Sequence, residues 1–183
     1  MSTILRKVFW FLNTFFMTPV FRLGLGGLLG TPFGGYMMVI KVVGRKSGKT
    51  RYAPVNYAIR NGSVYCLSGF RKRAEWFRNL QANPQVELLM PGGTIYARGE
   101  PVSDPDERSL MARQVLKNAG FAGFFEGYNP RTISEADLQA KIADIPVLRF
   151  QTLGLGSGAF DAGGWAWVWP VLATVGLVWW WLG

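Results

Sequence analysis

Short runs of β-branched and aromatic residues, broken by tight-turn sequences, constrain this chain more than any other feature. Asn61-Gly62 and Pro91-Gly92-Gly93 each separate a pair of such runs. Asn-Gly suits a two-residue hairpin because both central residues must take positive φ, which these two residues tolerate best. A third turn, Gly44-Arg45-Lys46-Ser47-Gly48-Lys49-Thr50, lies between another pair. The pattern predicts strands over 36–43, 51–59, 63–68, 85–90, 94–102 and 146–152. A helix is expected over 75–81, with Trp76, Phe77 and Leu80 along one side and Asn83-Pro84 closing it. Asp104-Pro105-Asp106-Glu107 opens another: a capping carboxylate, a proline where no amide partner is lost, and acids at the positive end of the dipole. It should run to Asn118 and stop at Gly120, and Ser134 with Asp137 opens a further short helix. Strands joined mainly by hairpins leave two raw edges unless the sheet closes. The expected class is therefore α+β, with about six antiparallel strands in a small barrel and two or three helices.

The two ends differ from the middle. Residues 165–182 carry no charge, with Trp165, Trp167 and Trp169 at one end and Trp179, Trp180 and Trp181 at the other. As a helix the run would be about 27 Å long, enough for a thin hydrocarbon core, with indoles at both interfaces. Pro170 falls in its first turns, where a missing amide matters least. A C-terminal membrane helix is expected, and a buried helix apolar on every side is the alternative. The glycine-rich stretch 154–164 reads as a flexible linker. Near the other end, 8–21 is apolar but holds Asn13, Thr14, Thr18 and Pro19, between Arg6, Lys7 and Arg22. About 14 residues are too few to span a bilayer, and no small-residue cleavage site marks a signal peptide. An apolar N-terminal helix lying in the lipid headgroups is expected, and packing on the core is the alternative. The division is then a membrane-associated segment at 1–35, a barrel at 36–153, a linker at 154–164 and an anchor at 165–183. The barrel would face the cytoplasm.

Composition limits the chemistry. With no histidine and one cysteine, Cys66, the chain has no disulfide framework, no Cys/His zinc site and no Ser-His-Asp or Cys-His catalysis. The acids are scattered without a ligand-like cluster, so no metal is expected. Reactivity falls to an organic cofactor or to backbone and cationic groups. From 41 to 78 there are ten bases against Glu75 alone, a window of +9 that equals the formal charge of the whole chain. A field this lopsided suits an anionic partner, and a solvated basic face is the plainer alternative. The 44–50 turn looks like a P-loop, but only three residues separate its glycines, and Pro54 follows in a strand where a P-loop must open a helix. What remains is a turn with three cations, Ser47 and two glycines whose amides can approach an anion. Arg71-Lys72-Arg73 follows the third strand. In a three-stranded meander the loops after strands one and three share one end. The two cationic loops would then face each other beside Tyr52 and Trp76, forming a groove for an anionic tail and an aromatic head.

GRKSGKTRYAPVNY, a Ser68-Gly69 turn and AEWFRNLQANPQV together resemble the deazaflavin-dependent nitroreductase and quinone reductase family, whose fold is a split β-barrel. The match runs from Val39 to Val86, with looser agreement to Gln151. The resemblance implies coenzyme F420, a 5-deazaflavin with a phosphate and an oligoglutamate tail; a flavin, FMN, is the alternative. It implies that Arg45, Lys46, Ser47, Gly48 and Lys49 meet the phosphate and tail, that Pro54, Val55 and Asn56 line the ring, and that Ser68, Gly69 and Trp76 complete the pocket. Arg51, Arg71 and Arg73 join the cofactor-binding set from the basic window. For Trp76, anchoring its helix in the core is the alternative. Tyr128 is the candidate proton donor. Some members carry a short apolar N-terminal helix that reaches the membrane, with menaquinone as the suggested substrate, and 1–35 fits that description.

The expected function is hydride transfer from reduced coenzyme F420 to a quinone, nitro compound or similar electrophile at the membrane. The expected partners are membrane lipid and menaquinone or another small acceptor, without nucleic acid. Two other readings stand: a non-catalytic or flavin-binding split barrel, and a membrane-anchored binder of anionic ligands.

Overall fold

A computed structural model describes residues 11–29, 35–69, 71–120, 129–158 and 168–182. Six strands, β1 (Met37–Val43), β2 (Thr50–Arg60), β3 (Ser63–Leu67), β4 (Gln85–Met90), β5 (Gly93–Pro101) and β6 (Val147–Leu155), form a closed barrel in the order β1-β2-β3-β6-β5-β4. Every pairing is antiparallel. The Asn61-Gly62 hairpin takes φ of 49° and 75°, as its sequence requires. Strand ends fall within one residue of expectation except in β6, which runs on past Thr152 to pair Gly154 with Tyr96 and Leu155 with Ile95. Backbone groups make that ladder, so its glycine does not end it.

Alternation sorts the side chains. Met38, Ile40 and Val42 point inward and meet Cys66, Leu88 and Phe150, while Val39 points out and is equally buried. Helix α2 (Glu75–Ala82) drops Phe77 and Leu80 into one end of the barrel interior. It approaches so closely that a Cβ on Gly99 would lie 2.8 Å from Leu80 and 2.7 Å from Phe150.

Two further layers cover the outside. Helices α3 (Pro105–Asn118) and α4 (Glu135–Ile142) pack Met111, Val115, Leu138 and Ile142 over Ala58 and Tyr65. Their starts are capped as the sequence predicts. Asp104 accepts the Glu107 amide at 2.7 Å, and Ser134 accepts the Asp137 amide at 3.1 Å. On the opposite side, α1 (Thr18–Arg22) ends a helical run that includes a π turn over Asn13–Met17. Phe21, 2 % exposed, packs on Val39 and Leu89, and Arg22 stacks 4.6 Å over the Tyr52 ring. The last turn thus packs on the barrel, while Phe11, Leu12, Phe15 and Phe16 stay exposed.

The expected transmembrane helix finds no support among the described residues. The described part of helix α5 (Val168–Leu182) has 15 residues, about 22 Å of helix against a hydrocarbon core of about 30 Å. Among the described residues no helix is long and apolar enough to cross a membrane. Trp165 and Trp167, which completed the expected span, lie outside the described residues.

Candidate functional site

The barrel is split along β2. Its whole length from Thr50 to Asn56 pairs with β1, but β3 joins it only from Tyr57 to Arg60. Beyond Tyr57, the edge of β2 that faces β3 carries no ladder, and the chain leaving β3 turns away at Ser68-Gly69. Pro54 belongs at such an edge. The Tyr57 amide donates toward β1, to the Tyr36 carbonyl at 3.2 Å. Alternation therefore aims the Pro54 nitrogen at the unpaired side, where its missing proton costs no ladder bond.

Pro54, Val55 and Asn56 thus stand on one bank of the gap, and Ser68 and Gly69 on the other. They do not form one wall. Val55 points into the barrel, and Asn56 points out, donating to the Tyr36 carbonyl at 3.3 Å. Ser68 is fully buried, and its amide donates to the Pro146 carbonyl at 3.0 Å. Gly69 is exposed, with nothing within 4 Å of where a Cβ would stand. Trp76, on the first turn of α2, is half-buried and meets Phe77 edge-on at 6.4 Å, so it also anchors its helix. Tyr52 is drawn away from the expected groove by α1.

The two cationic loops share one end of the barrel, as the meander requires. The 44–49 turn braces itself. The Gly44 amide donates to the Lys49 carbonyl at 2.9 Å, those of Ser47 and Gly48 donate to the Gly44 carbonyl, and the Lys49 amide donates to Ser47 Oγ. Gly48 sits at φ +66°, a conformation glycine adopts freely. The Arg45 amide is also engaged, by Asn79 Oδ1 at 3.2 Å. The amides of Gly44 and Gly48, the two expected to approach an anion, are therefore taken up inside the turn. Cationic side chains remain. Lys46, Lys49, Arg51, Lys72 and Arg73 are exposed, while the ion pairs at this rim among the described residues join Arg45 and Arg78 to Glu75. Arg71 opens the 3-10 turn Arg71–Arg73 that leads into α2.

Asn79 is the residue sequence reasoning missed. Only 6 % exposed, it accepts from both the amide and the guanidinium of Arg45. The available signal was a polar side chain beside Leu80 on the apolar side of α2. Tyr128 lies outside the described residues. No cluster among the described residues could hold a metal.

A family model described as F420H(2)-dependent quinone reductase matches residues 19–133, more than half of the chain. The chain belongs to this family. It is an oxidoreductase, and its cofactor is coenzyme F420. No curated protein matches it. Among solved structures it is similar in shape to an F420 reductase (17 % identity over 70 % of this chain and 93 % of that one, TM-score 0.44). A second is an F420-H2 dependent reductase, FDR-A (23 % identity over 63 % and 93 %, TM-score 0.42). A third is the heme storage protein HutZ from Vibrio cholerae (19 % identity over 68 % and 87 %, TM-score 0.45). The residues present fit an F420 reductase's coenzyme: exposed cations at one rim suit an anionic tail, and the β2 edge from Thr50 to Asn56 has backbone groups that no ladder to β3 occupies.

Proposed function

We propose that this F420-dependent reductase delivers its hydride to a quinone or a similarly flat electrophile, at the surface of a membrane. The reading rests on one observation above others: two cationic loops share the end of the barrel at which β2 runs on without a ladder to β3. In it, Lys46, Lys49, Arg51, Arg71, Lys72 and Arg73 hold the phosphate and glutamate tail. Pro54, Val55 and Asn56 on one bank and Ser68, Gly69 and Trp76 on the other position the ring, and Tyr128 donates a proton to the reduced acceptor. Bound in its reduced form, the coenzyme supplies the hydride; the protein binds the anion, orients the ring and keeps water from it. Residues 36–153 form the coenzyme-binding unit, and the flanking segments meet lipid. The exposed Phe11, Phe15, Phe16 and Leu28 of the N-terminal segment and the exposed Trp179, Trp180 and Trp181 of α5 support that contact.

A fluorescence titration of reduced and oxidised F420 tests the site. The wild-type chain should bind at micromolar concentration, and the triple change Lys46→Gln, Lys49→Gln and Arg51→Gln should weaken binding about tenfold or more. Absence of wild-type binding at tens of micromolar ends the reading. Comparing kcat/KM for a menaquinone analogue and a nitroaromatic, each with and without anionic vesicles, identifies the acceptor. A quinone preference that grows with vesicles is expected.

A further inference from the structure

The strand order gives the barrel two ends of opposite character. One is the cationic rim, where β1 hands over to β2 and β3 ends. At the other lie the Asn61-Gly62 and Pro91-Gly92 hairpins and the close of β6. The Gly26–Leu28 turn sits on that end, since a Cβ on Gly27 would stand 3.5 Å from the Pro91 carbonyl oxygen. The last turn of α3 reaches it too, where the Asn118 carbonyl accepts the Tyr36 amide at 2.8 Å. Leu28, Ile59, Leu153 and Leu155, which these segments bring there, are each more than half exposed. Leu153 is an extra residue in β6, because pairing steps from Ala97–Thr152 to Tyr96–Gly154 around it. Such a bulge re-aims the side chain it carries, here toward solvent.

Charge follows the same division. Residues 25–28, 59–63, 90–96, 117–119 and 153–156 include no acid, and their two bases, Arg60 and Lys117, are exposed. Glu75, Asp104 and Asp106 stand at the helix starts near the rim instead. An apolar end with a basic fringe and no acid complements an anionic bilayer, which takes leucines beneath its headgroups and cations among them. From Leu155 the chain also runs on toward α5, whose Trp179, Trp180 and Trp181 stay exposed.

We infer that this end of the barrel docks on an anionic lipid surface, so that the cationic rim points away from the bilayer and takes its coenzyme from water. The inference rests on the membrane reading proposed above and fixes the orientation that reading leaves open. Rim cations would attract anionic lipid as well, but the apolar side chains able to enter a bilayer stand at the opposite end. The ladder between β2 and β3 closes at Tyr57, three residues from Arg60 and about 10 Å along the strand. The closed end of the gap thus stands just above the headgroups, within reach of an acceptor carried in lipid, while the rim stays in water.

Cys66 is buried, so one introduced cysteine on the full chain can carry a polarity-sensitive fluorophore. With phosphatidylglycerol–phosphatidylcholine vesicles, probes at Leu155→Cys and Leu28→Cys should brighten about twofold or more and be quenched by spin-labelled lipid. A probe at Asp106→Cys should do neither, and saturating F420 should alter none of these responses. Leu153→Glu with Leu155→Glu should weaken vesicle co-sedimentation about tenfold, while Tm and F420 affinity hold. Arg60→Gln with Lys117→Gln should weaken it several-fold on anionic vesicles and not on neutral ones. Quenching at Asp106 with Leu155 unaffected, or release from vesicles by F420, would put the rim on the membrane and overturn the inference. A lipid-free dimer that the double glutamate variant dissociates would overturn it too, by assigning the face to a second copy. Wild-type chain that never sediments with vesicles removes the membrane reading and the inference with it. Wild-type sedimentation that the double glutamate variant matches overturns the orientation alone.

Discussion

Glu87 shows how a single residue outside the candidate site shapes the chain. It lies on the outer face of β4, 5 % exposed, and pairs with Lys41 Nζ at 2.9 Å. Ser157 donates to it from both its amide and its hydroxyl, so this carboxylate ties down the chain just after β6. Gly156 beside it has no room for a side chain: a Cβ would come within 2.6 Å of Glu87 Oε1 and 2.5 Å of Thr94 Oγ1. Burial alone would push the Glu87 carboxyl up, but the Ser157 bonds and Lys41 outweigh it and hold the group below the usual carboxylate range. A depressed folded pKa adds stability above the unfolded value of about 4.3 and loses it as pH falls through the folded value. Glu87→Gln should therefore cost about 2 kcal/mol near neutral pH. The gap from wild type should close on acidification below about pH 4, as thermal melts across pH would record. Nothing in the sequence marked Glu87, since its partners lie far along the chain. Ser47 was marked, but its hydroxyl serves its own turn.

At the scale of elements, α2 and α1 divide stability from surface. Leu80 fills the barrel end with Phe77, so Leu80→Ala should cost about 3 kcal/mol in urea denaturation, with the m-value unchanged. The α1 region offers a paired test. Phe21→Ala removes a buried ring and should lower Tm by several degrees. Phe15→Ser with Phe16→Ser removes exposed rings and should leave Tm in place while reducing co-sedimentation with anionic vesicles several-fold. If both variants behave alike in both assays, the division is wrong. Helix starts were legible because a cap is a local chemical arrangement, visible in Asp104 and Ser134. Which turn of the N-terminal helix would be buried was not legible. Phe15, Phe16 and Phe21 are the same residue type, and only the outward Val39 and Leu89 of the barrel distinguish them.

For the whole molecule, charge is the governing quantity. A net +9 sits almost wholly on the segments that build one rim and its neighbouring strands. Exposed cations attract through solvent, so F420 affinity should fall steadily between low and about 0.5 M salt, while the tail-free chromophore should bind nearly independently of salt. Parallel slopes for the two ligands would place the anion contacts elsewhere. The strands, the hairpins between them, the helix caps, the concentration of positive charge and the motif that marks the family were all legible in the residues alone. These follow from rules acting over a few residues: alternation, turn preference, capping and local composition. The fold settled where β2 separates from β3 and which cations are tied to Glu75. Those outcomes depend on contacts between residues tens of positions apart, such as Arg45 with Asn79 and Glu87 with Ser157. They form only when the chain closes on itself.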